Sequence, residues 1–574
     1  MRRMRASLAL ALGLSLVIGV PLASAKPPPG SPSEPRAKTT SIQILSLNDF
    51  HGQLEPVAAT ASSSGRIGNL TSGACTPPGC VPAGGVEYLA THVRDLRATN
   101  PNSVFVSAGD LIGATPLLSA LFHDEPTIEA FNLLDLDYNG VGNHEFDEGI
   151  DELLRMQNGG CHPVDGCADG DGFEGADFDF LAANVKYKDS GDTIFAPYAV
   201  HHFNGVDVAF VGMTLEGTPL IVSPDGIATV DFLDEAETVN ALVPELKEQG
   251  IETIVVLLHE GGSTSNPLNP STINSCGNLS GALPPIVEAM DDEIDIVITG
   301  HTNWAVNCIV DGKVVTGAAS QGRLVTDIDF KVSRATKDVV GPITVNNRIV
   351  TQDVPKAADL TALIAEYNVF AAPIAAVVVG NTTVALDRTA APNGETSLGR
   401  LIADAQLESA TDAGGQIAFM NPGGIRANLD AGPITHGEAF AVQPFSNIVT
   451  TKTFTGAQIE LILEQQFVTS AGGTRTLILP TSAGFTYTWD AAPAAAGNRI
   501  DPATMKLNGV TIDPAATYRV TANNFLSGGG DDFPAFTLGT NNTTGLDDLV
   551  ALEAYLSAND PYTPPTDVRI TRVN

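Results

Sequence analysis

Short β-branched runs alternate with helical stretches through the first half of the chain. IQILSL (42–47), SVFVSA (103–108), FDFLAAN (178–184), VDVAFVGM (206–213), TIVVLL (253–258) and IDIVITG (294–300) read as strands. GGVEYLATHVRDLRA (84–98) and EAETVNALVPELKEQG (235–250) carry apolar residues at helical spacing. Strand–helix alternation of this kind predicts a layered α/β domain. The pattern changes near residue 335. AADLTALIAEYNVFAAPI (357–374) predicts a helix able to join two domains, and from about residue 377 the chain has strands and helices of its own.

Length agrees with two domains, since 574 residues exceed one ordinary core. The expected division is residues 41–340 for the first domain, 341–376 for a linker containing the joining helix, and 377–574 for the second. The N-terminus reads differently. MRRMR is a basic start, ASLALALGLSLVIGV an apolar run short for a membrane span, and ASA ending at Ala25 a small-residue cleavage site. Residues 1–25 are therefore expected to be a signal peptide. The Pro/Ser-rich stretch KPPPGSPSEPRAK opens a tether over 26–40. No cysteine follows the cleavage site and no second hydrophobic span appears, so a secreted protein, extracellular or periplasmic and without a membrane anchor, is expected.

A formal charge of −36 argues against a nucleic-acid-binding surface. Six cysteines fit an oxidising compartment and pair most simply as Cys75 with Cys80, Cys161 with Cys167, and Cys276 with Cys308. A zinc-thiolate site is the weaker reading because no CxxC pair occurs. The acidic loop DGCADGDGFEGAD lacks the ligand spacing of an EF-hand and reads as a solvated, disulfide-tied loop.

The candidate chemistry lies where strands end. IQILSLNDFHG delivers Asp49 and His51; SVFVSAGD delivers Asp110; GVGNHEFD delivers Asn143, His144 and Asp147; TIVVLLHEGG delivers His259; IDIVITGHTN delivers His301 and Asn303. Each alone reads as a turn or a helix cap. Together they repeat one placement, at the carboxyl ends of strands where open α/β sheets gather their sites. Carboxylate, imidazole and amide ligands without thiolates suit a pair of divalent ions such as Zn²⁺, Mn²⁺ or Fe²⁺.

In this order, and with LNDFHG and GNHEFD as they stand, the motifs resemble the calcineurin-like metallophosphoesterases. More narrowly, from about residue 41 to 574 the chain is similar to the secreted 5′-nucleotidases, a family that includes periplasmic UDP-sugar hydrolases. The resemblance implies a four-layer α/β–β/α N-terminal sandwich joined by a helix to an α/β substrate-binding domain. It implies that Asp49 and His51 hold a first metal, Asp110 bridges, and Asn143, His259 and His301 hold the second. Asn303 stands where the family offers His or Gln to the first metal. His144 and Asp147 match the catalytic pair: a histidine able to stabilise charge on phosphoryl oxygens, and an aspartate that orients it.

The same resemblance gives purpose to three C-terminal stretches, NPGGIRANL, QPFSN and NNFLSGGGDDFP. Phe445 and Phe525 match two aromatics that sandwich a nucleobase. Asp531 matches a carboxylate for ribose hydroxyls, and Asn421 and Asn447 match amides near the base. Arg426 and Arg388 match phosphate-facing arginines, while a further family arginine falls at Pro392. The implied partner is a small nucleotide, in a monomer or dimer, and the implied reaction is release of phosphate from nucleoside 5′-monophosphates. UDP-sugar hydrolysis, 2′,3′-cyclic-nucleotide hydrolysis and nucleotide binding without turnover are the alternatives. The family also implies a domain rotation hinged near residues 359–370.

Overall fold

The computed structural model describes residues 38–574, apart from 60–63, 71–73, 171, 266–267, 446, 471–472 and 493–497. The expected signal peptide and nearly all of the expected tether lie outside the described residues.

Two six-stranded mixed sheets build the first half. One runs Thr344–Ile349, Leu324–Ser333, Thr39–Leu47, Ser103–Ser107, Tyr138–Gly140, Asp179–Leu181, its last four strands parallel. The other runs Ala305–Val310, Lys313–Ala318, Ile294–Thr299, Ile254–Leu258, Val206–Met213, Tyr198–Phe203, with parallel strands at its centre. Each predicted strand is present, although FDFLAAN contributes only Asp179–Leu181.

Side-chain alternation decides the layers. Ile42, Ile44, Val104 and Val106 of the first sheet pack against Phe210, Val255, Leu257, Ile296 and Ile298 of the second. The intervening Leu45, Leu47 and Phe105 turn outward onto helices Val86–Arg97, Glu125–Leu133 and Ala358–Ala375. Val211, Val256 and Leu258 turn outward onto helices Glu235–Glu248 and Leu283–Ala289. The result is helix, sheet, sheet, helix. Each fully buried Val, Leu or Ile contributes about 1.5–3 kcal/mol, and a one-residue slip would exchange the two cores. That fixes the register, and with it the position of every strand end.

The first sheet extends beyond the boundary expected at residue 340, because Thr344–Ile349 pairs with residues 324–329 as its edge strand. The joining helix Ala358–Ala375 packs on the first half through Leu360, Ile364 and Tyr367, whose hydroxyl donates to Glu129 Oε2 at 3.0 Å. Its far end contacts the helix His436–Val442 of the second half. That half holds a four-stranded sheet ordered Ile417–Ala418, Thr517–Asn523, Ile448–Thr455, Thr540–Asp547. A second four-stranded sheet contains Phe485–Asp490 and Ile570–Val573. All three expected disulfides are present.

Candidate active site and metal centre

The parallel strands of both sheets end at one place. Asp49 and His51 follow Thr39–Leu47, Asp110 follows Ser103–Ser107, Asn143 and His144 follow Tyr138–Gly140, His259 follows Ile254–Leu258, and His301 follows Ile294–Thr299. His51, Asp110 and His144 form one cluster of converging donor atoms, and Asp110, His259 and His301 another, so Asp110 belongs to both. His259 Nε2 lies 3.0 Å from Asp110 Oδ2 and 3.1 Å from Asn143 Oδ1. His301 Nδ1 lies 2.9 Å from the same Asn143 oxygen, and His51 Nε2 is 3.8 Å from Asp110 Oδ2.

Backbone and neighbouring side chains hold these groups in place. Asp49, His51, Asp110, His301 and Asn303 all have φ between 49° and 65°, a region that costs non-glycine residues of order 1–3 kcal/mol each and recurs at functional sites. His51 Nδ1 meets the Gly113 carbonyl at 2.9 Å, and His259 Nδ1 meets the Ala108 carbonyl at 2.8 Å. With those nitrogens donating, both Nε2 atoms are left for a ligand role. Glu145 Oε2 accepts from the Asp110 and Gly142 N–H groups at 3.0 and 2.7 Å, and Oε1 from Leu111 at 2.8 Å. The motif's glycine is required, since a Cβ at Gly142 would strike the Asp110 carboxylate. Asn48 Nδ2 donates to Asp49 Oδ2 and to the Ala319 carbonyl. Neither Asn48 nor Glu145 carries a role in the sequence reading. Their signal is position alone, each lying next to a candidate ligand.

The electrostatics suit metal ions. Burial pushes the His51 imidazole down to about 3 and His301 to about 4, so both are neutral. Burial opposes charge on Asp110 and His259 too, but each sustains the other: Asp110 is held below the usual carboxylate range and His259 is lifted to about 10. Asp110 and His259 thus make a buried ion pair through Oδ2 and Nε2. Burial pushes the Asp49 carboxyl up to about 7, and its Oδ1 is buried without a hydrogen-bond partner, 4.0 Å from His51 Nε2. An oxygen and nitrogen donor set with a shared carboxylate fits two borderline divalent ions. Asn303 is exposed, and its amide donates to the His301 carbonyl at 3.1 Å.

His144 Nδ1 meets Asp147 Oδ2 at 2.8 Å, and that same oxygen accepts from the Ala114 N–H at 3.2 Å. Burial opposes the imidazolium, but the Asp147 and Asp110 charges raise the His144 pKa above its ordinary value. The His144 backbone N–H donates to Asp110 Oδ1 at 2.9 Å, tying this pair to the candidate metal ligands.

A cavity of about 310 Å³ opens from these groups toward the second half of the chain. Asn143, His144, Asp147 and His301 line one part of it; Asn421, Arg426, Phe445, Asn447, Phe525 and Asp531 line another. Asn421 Nδ2 donates to Asp531 Oδ2 at 2.9 Å and its Oδ1 accepts from Asn523 at 3.0 Å. A Cβ at Gly530 would lie 2.5 Å from the Phe525 ring, so the Gly-rich turn seats that aromatic. Arg388 is not among the lining residues; its Nη1 donates to the Arg426 carbonyl at 2.6 Å. Burial and the Arg388 charge both lower the Arg426 pKa. Ile221, Val222 and Ser223 close the cavity from the first half, and no motif marks them in the sequence.

The family model for calcineurin-like phosphoesterases matches residues 42–304, and that for the 5′-nucleotidase C-terminal domain matches 378–538. The chain belongs to the family that joins these two domains. It is 34% identical over 529 residues to endonuclease YhcR of Bacillus subtilis, a match covering 90% of this chain and 40% of the relative. It is 32% identical over 560 residues to cell wall protein Lmo0130 of Listeria monocytogenes, covering 91% and 67%. The chain therefore spans well under half the length of the first of these relatives. The structure of a 5′-nucleotidase precursor from Thermus thermophilus aligns with a TM-score of 0.72 over 93% of this chain and all of the other at 24% identity, so this family member has that two-domain fold.

Proposed function

We propose that this 5′-nucleotidase family member is an exported two-metal phosphohydrolase that releases phosphate from nucleoside 5′-monophosphates. The observation that carries the reading is the cavity in which His144, Asp147 and the metal cluster face Phe445, Phe525, Asp531 and Arg426. A phosphate at the first group and a nucleoside at the second make one nucleotide.

The proposed ligands are Asp49 and His51 for one Zn²⁺, Mn²⁺ or Fe²⁺, Asn143, His259 and His301 for the other, and Asp110 for both. Bound there, two such ions supply a Lewis-acid clamp on the phosphoryl oxygens and a water made acidic near neutral pH. Asp147 accepts from His144 Nδ1 and leaves Nε2 to donate to a phosphoryl oxygen as charge builds on it. Arg426 faces the phosphate, and Arg388 secures the turn that carries Arg426. Phe445 and Phe525 stack the base, Asp531 accepts from ribose hydroxyls and is oriented by Asn421, and Asn447 meets the base edge. Asn303 has the weakest case as a ligand, since its amide already serves the His301 carbonyl.

The leader-like pattern of residues 1–25 supports export, and no helix of the described residues is long and apolar enough to cross a membrane. The test is phosphate release from AMP, UDP-glucose and 2′,3′-cyclic AMP with Mn²⁺ or Zn²⁺ added. AMP is expected to turn over best. Preference for either other substrate would move the reading to a UDP-sugar hydrolase or a cyclic phosphodiesterase. Nucleotide binding with no turnover of any substrate would leave a binding protein.

A further inference from the structure

A fully buried amide stands behind the cavity and does not line it. Asn523 ends the strand Thr517–Asn523, which pairs with Ile448–Thr455, and it caps the short helix Asn524–Ser527 that carries Phe525. Its Oδ1 accepts from the Leu526 N–H at 2.8 Å. Its Nδ2 donates to Asn421 Oδ1 at 3.0 Å, and Asn421 Nδ2 donates in turn to Asp531 Oδ2 at 2.9 Å. The other neighbour of Asn523 Nδ2 is Met420 Sδ at 3.9 Å, a weak acceptor, so Asn421 is its strong partner.

We infer that Asn523 is a positioning residue for nucleotide recognition, setting through one amide both the Asp531 carboxylate and the helix that carries the Phe525 ring, a role that rests on the nucleotide pocket proposed above. Three features carry it. The first is direction. The relay starts at a backbone N–H, which only donates, and ends at a carboxylate, which as an anion only accepts. Each amide between these fixed ends has one orientation that satisfies both neighbours. The second is burial. Asn523 and Asn421 are 0% and 2% exposed, so water cannot replace a lost partner, and a hydrogen bond left unmade there is costly. The third is reach. Leu526 follows Phe525 in the capped helix and Asp531 lies past the Gly-rich turn, so one side chain holds both flanks of that turn. The glycines of NPGGIRANL leave room for the relay, since a Cβ at Gly424 would lie 2.9 Å from Asn421 Oδ1 and one at Gly423 3.3 Å from Asp531 Oδ2.

The two ends of the relay can be cut separately. Serine caps a helix about as well as asparagine, yet its hydroxyl sits closer to the backbone and does not span to Asn421. Asn523→Ser therefore keeps the helix and releases Asn421. The Asn421 amide is then free to turn, and Asp531 loses the N–H that orients it toward the sugar hydroxyls. Asn523→Leu removes the cap as well, which loosens the seat of Phe525.

The test measures kcat and KM of the full-length, metal-loaded protein on AMP, on 2′,3′-dideoxyadenosine 5′-monophosphate and on p-nitrophenyl phosphate. Asn523→Ser is expected to shrink the advantage of AMP over the dideoxynucleotide by ~3- to 10-fold, through KM, with p-nitrophenyl phosphate changed by less than ~2-fold. In an Asn421→Ala background the same substitution should add nothing to that ratio, because the relay is already cut. Asn523→Leu should weaken both nucleotides relative to p-nitrophenyl phosphate. An unchanged ratio of AMP to dideoxynucleotide in Asn523→Ser, or one equal loss on all three substrates, would overturn the inference and leave Asn523 a helix cap. Should Asn523→Ser fail to fold, Asn523→Asp decides by the same ratio, since it keeps the capping oxygen and removes the N–H donor. A wild type that does not distinguish the three substrates would overturn the nucleotide pocket itself, and the role of Asn523 with it.

Discussion

The Phe445 ring lies over His144, with centroids 5.9 Å apart and planes 17° from parallel, and the Arg426 guanidinium stands 5.7 Å from the same phenyl centroid. A residue of the second half thus touches the proposed catalytic histidine of the first. Phe445 and Phe525 are therefore not equivalent, although sequence alone treats them as a pair.

Replacing them should separate base binding from reaction chemistry. Phe525→Ala removes one stacking surface, worth about 1–3 kcal/mol per base, so kcat/KM for AMP should fall ~5- to 150-fold. The loss should be much smaller for p-nitrophenyl phosphate, which offers no nucleobase. Phe445→Ala should lower turnover of both substrates, because it also unpacks His144. Steady-state kinetics on the two substrates check this. An equal loss on both with Phe525→Ala would remove the nucleobase-pocket assignment.

His144 should act on the transition state and not on the metals. His144→Ala is expected to lower kcat by ~10²-fold or more, with metal content kept and KM little changed. Kinetics and elemental analysis of the same preparation provide the check. Loss of a metal would make His144 a ligand instead.

Asp110 belongs to both donor clusters. Asp110→Asn should therefore lose turnover together with bound metal. A variant that keeps two ions at this centre and near-normal activity would exclude the bridging role.

Stability of the metal-free protein should depend on pH through His123. Its hydrogen bond to Glu148 raises it from 6.5 to about 9. The folded state therefore holds a proton that the unfolded chain releases at lower pH. The stabilisation is complete below about pH 6.5 and is lost as pH rises toward about 9. In EDTA, the Tm of wild type should fall across that window more than the Tm of His123→Gln. Parallel curves would mean that the ion pair is screened out.

Much of the candidate centre was legible because its determinants are local. An apolar run fixes where a parallel strand lies, burial on both faces fixes its register, and the next few residues are the candidate ligands. Asp49, His51, Asp110, Asn143, His259 and His301 each follow such a run, so their convergence could be inferred before any distance was known. The disulfide pairs were legible for a related reason, since the loops they close are short or flank one strand.

Placement by packing between distant segments was not legible. Asn303 has the right position in the motif, yet its amide turns back to the His301 carbonyl, a choice made by the local turn. Arg388 stands behind Arg426 and not in the cavity, because the two chain segments that carry them lie side by side. The edge strand Thr344–Ile349 joins the first sheet only through its pairing with residues 324–329. Ile221, Val222 and Ser223, which line the cavity together with Phe525, and His123, which reaches the Cys161–Cys167 loop beyond two α-helices, carry no pattern at all. Sequence determined the chemistry at each strand end, because hydrophobic periodicity is written residue by residue. Tertiary structure alone decided which distant side chains share a cavity, because that depends on how two halves of the chain pack.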